Sequence, residues 1–272
     1  MSQDTLTLVS DNAEAIVDLE GGRLSSLCVY GLQLLVTEGA KPSRFGSFPM
    51  VPWCGRLANG VLDFGAERHE FPLTSPPHAN HGRGYLQRWQ AISETEIRTD
   101  LLEPWPFGGH VVQRFELSAL SLTVTLEVHA EGRSMPAMVG WHPWFRRQLD
   151  RGEPAQLTFA ADSAYAVDEA MVPTRELIPT PAEPWDDCFI DVTEEPRITW
   201  PGALRVDLTS SMDHWVVYTK PEHALCVEPQ SGPPNQVNSD PRLAEPGKPL
   251  VGAMTIRWSP PLLEKTPLPG LA

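Results

Sequence analysis

The sequence predicts an all-β protein, a sandwich or a barrel, on three observations. Proline takes 28 of the 272 positions, about twice its average share, and recurs every few residues outside the periodic stretches. Inside a helix, proline removes a hydrogen bond and clashes with the preceding turn, so long helices are excluded almost everywhere. Several segments alternate apolar and polar residues with period two, the pattern of a strand with one buried face. Turn signals separate these segments at short intervals: Glu20-Gly21-Gly22, Asn59-Gly60, Phe64-Gly65, Gly108-Gly109, Pro201-Gly202 and Pro246-Gly247. Many short strands joined by dense turns pack as a sandwich or close as a barrel.

The clearest strand is residues 122–129, with Leu122, Val124, Leu126 and Val128 on one face and polar residues on the other. Residues 111–117, 204–208, 215–219 and 253–258 read similarly. Near the start, residues 6–9 and 15–18 suggest a hairpin, with a further strand over 32–36. The proline-rich stretch 173–184 has the composition of a linker, but strand patterns of the same character resume beyond it. It therefore reads as a long surface loop within one domain spanning 1–272. The tail 260–272 lacks apolar periodicity and is expected to pack loosely.

Charge narrows the partners. Thirty-five acidic against 21 basic residues give a formal net charge of -14, which repels nucleic acid and anionic membranes alike. Neither a basic n-region leading into an apolar segment nor an apolar run near the roughly 20 residues of a membrane span is present. Cys28, Cys54, Cys188 and Cys226 form no CxxC pair and read as reduced thiols, so a cytoplasmic protein is expected. Histidine spacings typical of zinc sites are missing, as are GxGxxG, Walker A and GxSxG motifs, so neither a metal nor a cofactor is expected.

Two residues stand out as acid–base candidates. His142 lies in Gly140-Trp141-His142-Pro143-Trp144-Phe145, a group that titrates near neutrality between indoles that can wall a small ring. Glu228 ends the apolar run Ala224-Leu225-Cys226-Val227-Glu228-Pro229, where desolvation raises a carboxyl pKa toward that of a general base. After it, residues 230–238 are rich in neutral hydrogen-bonding groups suited to a polyhydroxylated ligand. His81 sits in the polar, glycine-flanked Pro77-His78-Ala79-Asn80-His81-Gly82-Arg83-Gly84, where a solvated loop is the competing reading. Arg56 must reach solvent or fork onto acceptors, and Asp186 and Asp187 lie between aromatics.

In order and spacing these islands resemble the aldose 1-epimerase (mutarotase) family. The matching pieces are residues 46–53 leading to Gly55-Arg56-Leu57-Ala58-Asn59-Gly60, then His78-Ala79-Asn80-His81-Gly82, then residues 140–145. Asp186-Asp187-Cys188-Phe189 and Val227-Glu228-Pro229-Gln230, running on to Asn238, complete the set. The resemblance covers nearly the whole chain. It implies a large antiparallel β-sandwich with a sugar cleft on its concave face. It further implies Glu228 as the base at the anomeric hydroxyl, His142 as the acid at the ring oxygen and His81 as an assisting histidine. Arg56, Asp186, Asn238 and Trp144 are the expected substrate contacts, the ligand a free aldose such as galactose or glucose, and the protein a monomer or homodimer. The sequence departs from the family in having Gly55 where asparagine is usual, and Asp187 where histidine is frequent. A hexose-6-phosphate epimerase is the nearest alternative. It calls for extra cations after the first histidine, where only Arg83 and, nearby, Arg88 are found. A non-catalytic sugar-binding or regulatory module is the other; such a binder has no need of a matched acid and base.

Overall fold

A computed structural model of the chain describes residues 4–259; the tail 260–272, expected to pack loosely, lies outside the described residues. Seventeen strands hydrogen-bond into one continuous sheet, and six more form three small ribbons. Every pairing between the named strands is antiparallel. The all-β expectation holds, and among the described residues the longest helix is a single α-turn, Gln236–Ser239.

Connectivity makes the sheet a sandwich. The long strand Asp186–Trp200 belongs to both layers. Its last residues pair with Leu204–Ser210, which leads through Leu250–Ser259 to Ser121–His129 and His110–Leu117. Its first residues pair with His214–Tyr218, which leads through Ala224–Gln230 to Gly140–Arg146 and Ser47–Met50. The inward faces of the two runs share one apolar cluster containing Val124, Leu126, Val206 and Ile256 with Phe145, Leu225 and Val227. Along Ser121–His129 burial alternates residue by residue, so one face of that strand meets water.

The central strands of the second layer do not alternate. Ala224–Gln230 is buried throughout and Gly140–Arg146 nearly so, because the core covers one face and loops cover the other. Parity still sorts their side chains. The Trp141 indole points between the layers and donates from Nε1 to Gln113 Oε1 at 2.8 Å, while His142 and Trp144 take the opposite face. The expected N-terminal hairpin forms as Thr5–Val9 against Ala13–Asp18. Two expectations change. The strand at 32–36 shrinks to Leu32–Gln33, after which Leu34 N donates to Leu27 O and Leu35 makes an isolated bridge to Phe145. Residues 173–179, expected in a surface loop, form the edge strand Pro173–Pro179 against Gln156–Val167. Its prolines stand at the two ends, where an edge tolerates residues that cannot donate.

Candidate active site

Strand register brings the acid–base candidates together. Gly140 pairs with Gln230 and Trp144 with Cys226, which sets His142 directly across from Glu228. His142 Nε2 lies 3.1 Å from Glu228 Oε1, and both side chains are buried. The imidazole is clamped in a ring stack, with Phe48 at 4.9 Å and 23° on one side and Trp144 at 5.1 Å and 12° on the other. A second histidine, His81, meets it edge-on with ring centroids 5.1 Å apart. Its Nδ1 lies 3.0 Å from the Met50 sulfur.

Burial dominates the electrostatics. Desolvation pushes Glu228 well above the ordinary carboxyl value, with the nearby Asp186 charge adding to the rise and Arg56 opposing it. Desolvation also drives His142 well below its ordinary value, helped by His81 and Arg44. His81 falls to about 3, through desolvation first and then the charges of Arg56 and Arg44. Burial thus disfavours the charged form of both groups, favouring a neutral carboxyl beside a neutral imidazole. For Glu228 the raised value means that its contribution to stability is complete below the unfolded pKa and lost as pH rises through the folded one. The histidines run oppositely: an unfolded histidine binds a proton below about 6.5, whereas native His81 does so only near 3. Stability is thus expected to fall as pH drops through that window. The Tm difference between pH 7 and pH 4.5, read by calorimetry, should be smaller in His81→Gln than in the parent.

The rim is held by close backbone contacts. Arg56 pairs with Asn80 across a two-residue ribbon, and its Nη2 lies 3.4 Å from Asp186 Oδ2. Asp187 spends a carboxylate oxygen on the Asp186 backbone N–H at 2.9 Å, which leaves Asp186 as the carboxylate beside Arg56. Gly55 has φ +59, and a Cβ there would fall 2.5 Å from Pro234 Cγ. The departure from asparagine follows from that contact, since the 231–235 loop occupies the side chain's space.

The resulting cavity is about 210 Å³ and is lined by Arg56, His81, His142, Trp144, Asp186 and Glu228, among others. Pockets for drug-sized ligands measure roughly 300–1,000 Å³, so this smaller space suits a single ring. Asn238 is the exception among the expected contacts and does not line it. Its amide nitrogen donates to Val61 O and Asn235 Oδ1, and its oxygen accepts from Asp63 N. Those bonds tie the short helix to the Val61–Phe64 strand and spend both amide hydrogens on protein acceptors. Gln230, at the start of the polar 230–238 stretch, lines the cavity, whereas sequence reading missed Asn80, Tyr85, Cys188 and Tyr218 as lining residues, together with the turn residues Lys41, Ser43 and Arg44. Buried polar atoms without a protein partner cluster here: Asn80 Oδ1, Trp144 Nε1, Gln230 Oε1 and His142 Nδ1. Donor atoms of His142, Cys226 and Glu228 lie within 4.8 Å of one another. That grouping joins two strands, so local spacing along the chain could not disclose it.

Comparison with known proteins bears on this geometry. The chain matches the family described as aldose 1-epimerase over residues 4–257. It belongs to the aldose 1-epimerase family. Among its relatives, the uncharacterized protein YihR of Escherichia coli K12 is 27% identical over 280 residues, covering 91% of each chain. A galactose mutarotase-like protein from Clostridium acetobutylicum superposes with a TM-score of 0.80 at 16% identity, covering 93% of this chain and 94% of that one. Galactose 1-epimerase from Lactobacillus acidophilus gives 0.72 at 17% identity, covering 94% of each. Both solved structures share the epimerase sandwich. Among the described residues of this family member, no helix is long and apolar enough to cross a membrane.

Proposed function

We propose that this protein interconverts the α and β anomers of a monosaccharide by acid–base opening and closure of its ring. The observation that carries the reading is the 3.1 Å contact between His142 Nε2 and Glu228 Oε1 in a buried, aromatic-walled cavity. Anomerisation needs one proton removed from O1 and one delivered to O5. These two oxygens share a carbon, so the groups that serve them must be neighbours.

In the working form Glu228 is a carboxylate and His142 an imidazolium, one proton transfer from the neutral resting pair. Glu228 takes the proton of the anomeric hydroxyl while His142 protonates the ring oxygen. The C1–O5 bond breaks, C1=O1 forms, and the pair is left as carboxyl and neutral imidazole. Rotation about C1–C2 presents the other face of the aldehyde. O5 then attacks C1, gives its proton to His142, and O1 takes the one on Glu228, which restores the starting protonation. Each proton transfer contributes roughly 10²–10⁴-fold. His81 borders the His142 edge of the sugar, Trp144 offers an aromatic wall, and Arg56 and Asp186 hold hydroxyls through charge-assisted hydrogen bonds.

Polarimetry tests this. Freshly dissolved single anomers of neutral and anionic aldoses are followed in a weakly catalytic buffer, and the protein should speed the approach to equilibrium for at least one. Unchanged rates across the whole panel would overturn the proposal.

A further inference from the structure

One wall of the cavity carries cations that the acid–base chemistry does not use. Lys41 and Arg44 line it from the turn that precedes Ser47–Met50. In a chain of net charge -14, most arginines beside the site or on the surface have carboxylate partners. Arg56 has Asp186, and Arg88 has Asp4 and Glu20. Lys41 and Arg44 have none within 4 Å among the described residues.

The turn is held in place from below. Arg44 N donates to Lys41 O at 3.0 Å. Arg23, only 3% exposed, donates from Nη2 to the Pro42 carbonyl, and its guanidinium lies 4.0 Å from the Phe45 ring centroid. Gly46, at φ +66, lets the chain pass against the Arg23 stem, where a Cβ would sit 2.6 Å from Cδ. A buried arginine spent on a surface turn fixes the two outer cations over the cavity.

Their position relative to the chemistry is also defined. The Arg44 guanidinium stands 5.5 Å from the Trp144 ring centroid, and Trp144 stacks on His142. Arg44, Trp144 and His142 thus form one continuous wall, the side assigned to the ring oxygen. Arg56 and Asp186 lie toward Glu228, whose ionisation both of them influence. In an aldohexopyranose the ring oxygen joins C1 to C5, and C5 carries the one exocyclic carbon, C6. A sugar seated with O5 at His142 and C6 turned along the Trp144 wall would bring C6 toward Lys41 and Arg44.

We propose that the preferred substrate is an aldose bearing an oxyanion at C6, a phosphate, sulfonate or carboxylate, bound by Lys41 and Arg44. This rests on the epimerase reading and names its substrate class. The cations that the stretch after His81 does not supply come instead from the turn before Ser47–Met50; Arg83 and Arg88 do not line the cavity.

Anomerisation of glucose, glucose 6-phosphate, glucuronate and 6-deoxy-6-sulfoglucose is compared in the parent and in K41Q/R44Q, with circular dichroism to confirm the fold. Because both cations are solvent-exposed, the expected preference for one C6 anion over glucose is roughly tenfold in kcat/KM. It should shrink with added salt and collapse in the double variant. The anion favoured identifies the source. Glucose handled as well as every anion, or a preference that survives K41Q/R44Q, would overturn the assignment. If no aldose is turned over, the epimerase reading fails, and quenching of tryptophan fluorescence then decides the anion site separately. Tighter binding of a C6 anion than of glucose, lost in K41Q/R44Q, upholds it; equal binding sinks it.

Discussion

Glu228→Gln is expected to lower kcat/KM for the best aldose by roughly 10²–10⁴-fold, and His142→Asn by a similar factor. Each replacement keeps approximate shape and hydrogen-bonding capacity while removing the group that, in the proposed mechanism, takes up or gives the proton. The double variant should be little worse than either single one if acid and base act in one concerted exchange, as proposed, because their losses then do not add. Folding should survive, since a buried pair that is neutral overall gives way to neutral amides. Polarimetry on matched protein, with Tm measured alongside, decides the matter. A single variant within threefold or so of the parent would return that residue to a structural role.

The second large effect concerns a residue with no functional group. Gly82 has φ +71, and a Cβ there would lie 1.9 Å from the Val51 carbonyl oxygen and 2.2 Å from its carbon. The backbone at Gly82 bridges to Val51, and Arg83 N and Gly84 N both donate to that same carbonyl. Gly82→Ala must break this contact or strain it, at about 2–4 kcal/mol. In a chain of this length that lowers Tm by roughly 5–15 °C. Its neighbour His81, itself at φ +64, would move off the edge of His142, so activity should fall even below the new Tm. A Gly82→Ala protein as stable and active as its parent would show that the loop can be rebuilt elsewhere.

Strands with one wet face announced themselves in the sequence, because alternation records which side meets water. Leu122 to Val128 is the example, buried at every second residue as expected. The two strands carrying the acid–base pair gave no such signal. Covered on both faces, they read only as apolar runs, and Glu228 and His142 were visible as polar residues inside them. What joined those residues was register, a relation between positions 86 apart in the chain that no local pattern encodes. The resemblance supplied the pairing, and hydrogen bonding then accounts for it. Asn238 shows the opposite case. An amide in a polar loop looks like a ligand contact until its partners are known, and all of them turn out to be protein. Lys41 and Arg44 escaped notice because a short basic turn in an acidic chain looks like ordinary solvated surface. Only the anchoring by Arg23 and the proximity to Trp144 give it meaning.

The strand shared by both layers sets when this protein can first work. Asp186–Trp200 takes its neighbours from both sides of itself in sequence, Gln156–Val167 earlier and His214–Tyr218 later. The Gly140–Arg146 strand waits for Ala224–Gln230. Leu250–Ser259 then inserts between Ser121–His129 and Leu204–Ser210. During synthesis, therefore, the cavity cannot assemble while the chain is emerging. Half-made sheets with open edges must persist until residue 230 and beyond have left the ribosome. Such non-local pairing makes for slow folding and exposes strand edges to other chains meanwhile. Truncation before the final strand should leave aggregating material rather than a smaller folded protein.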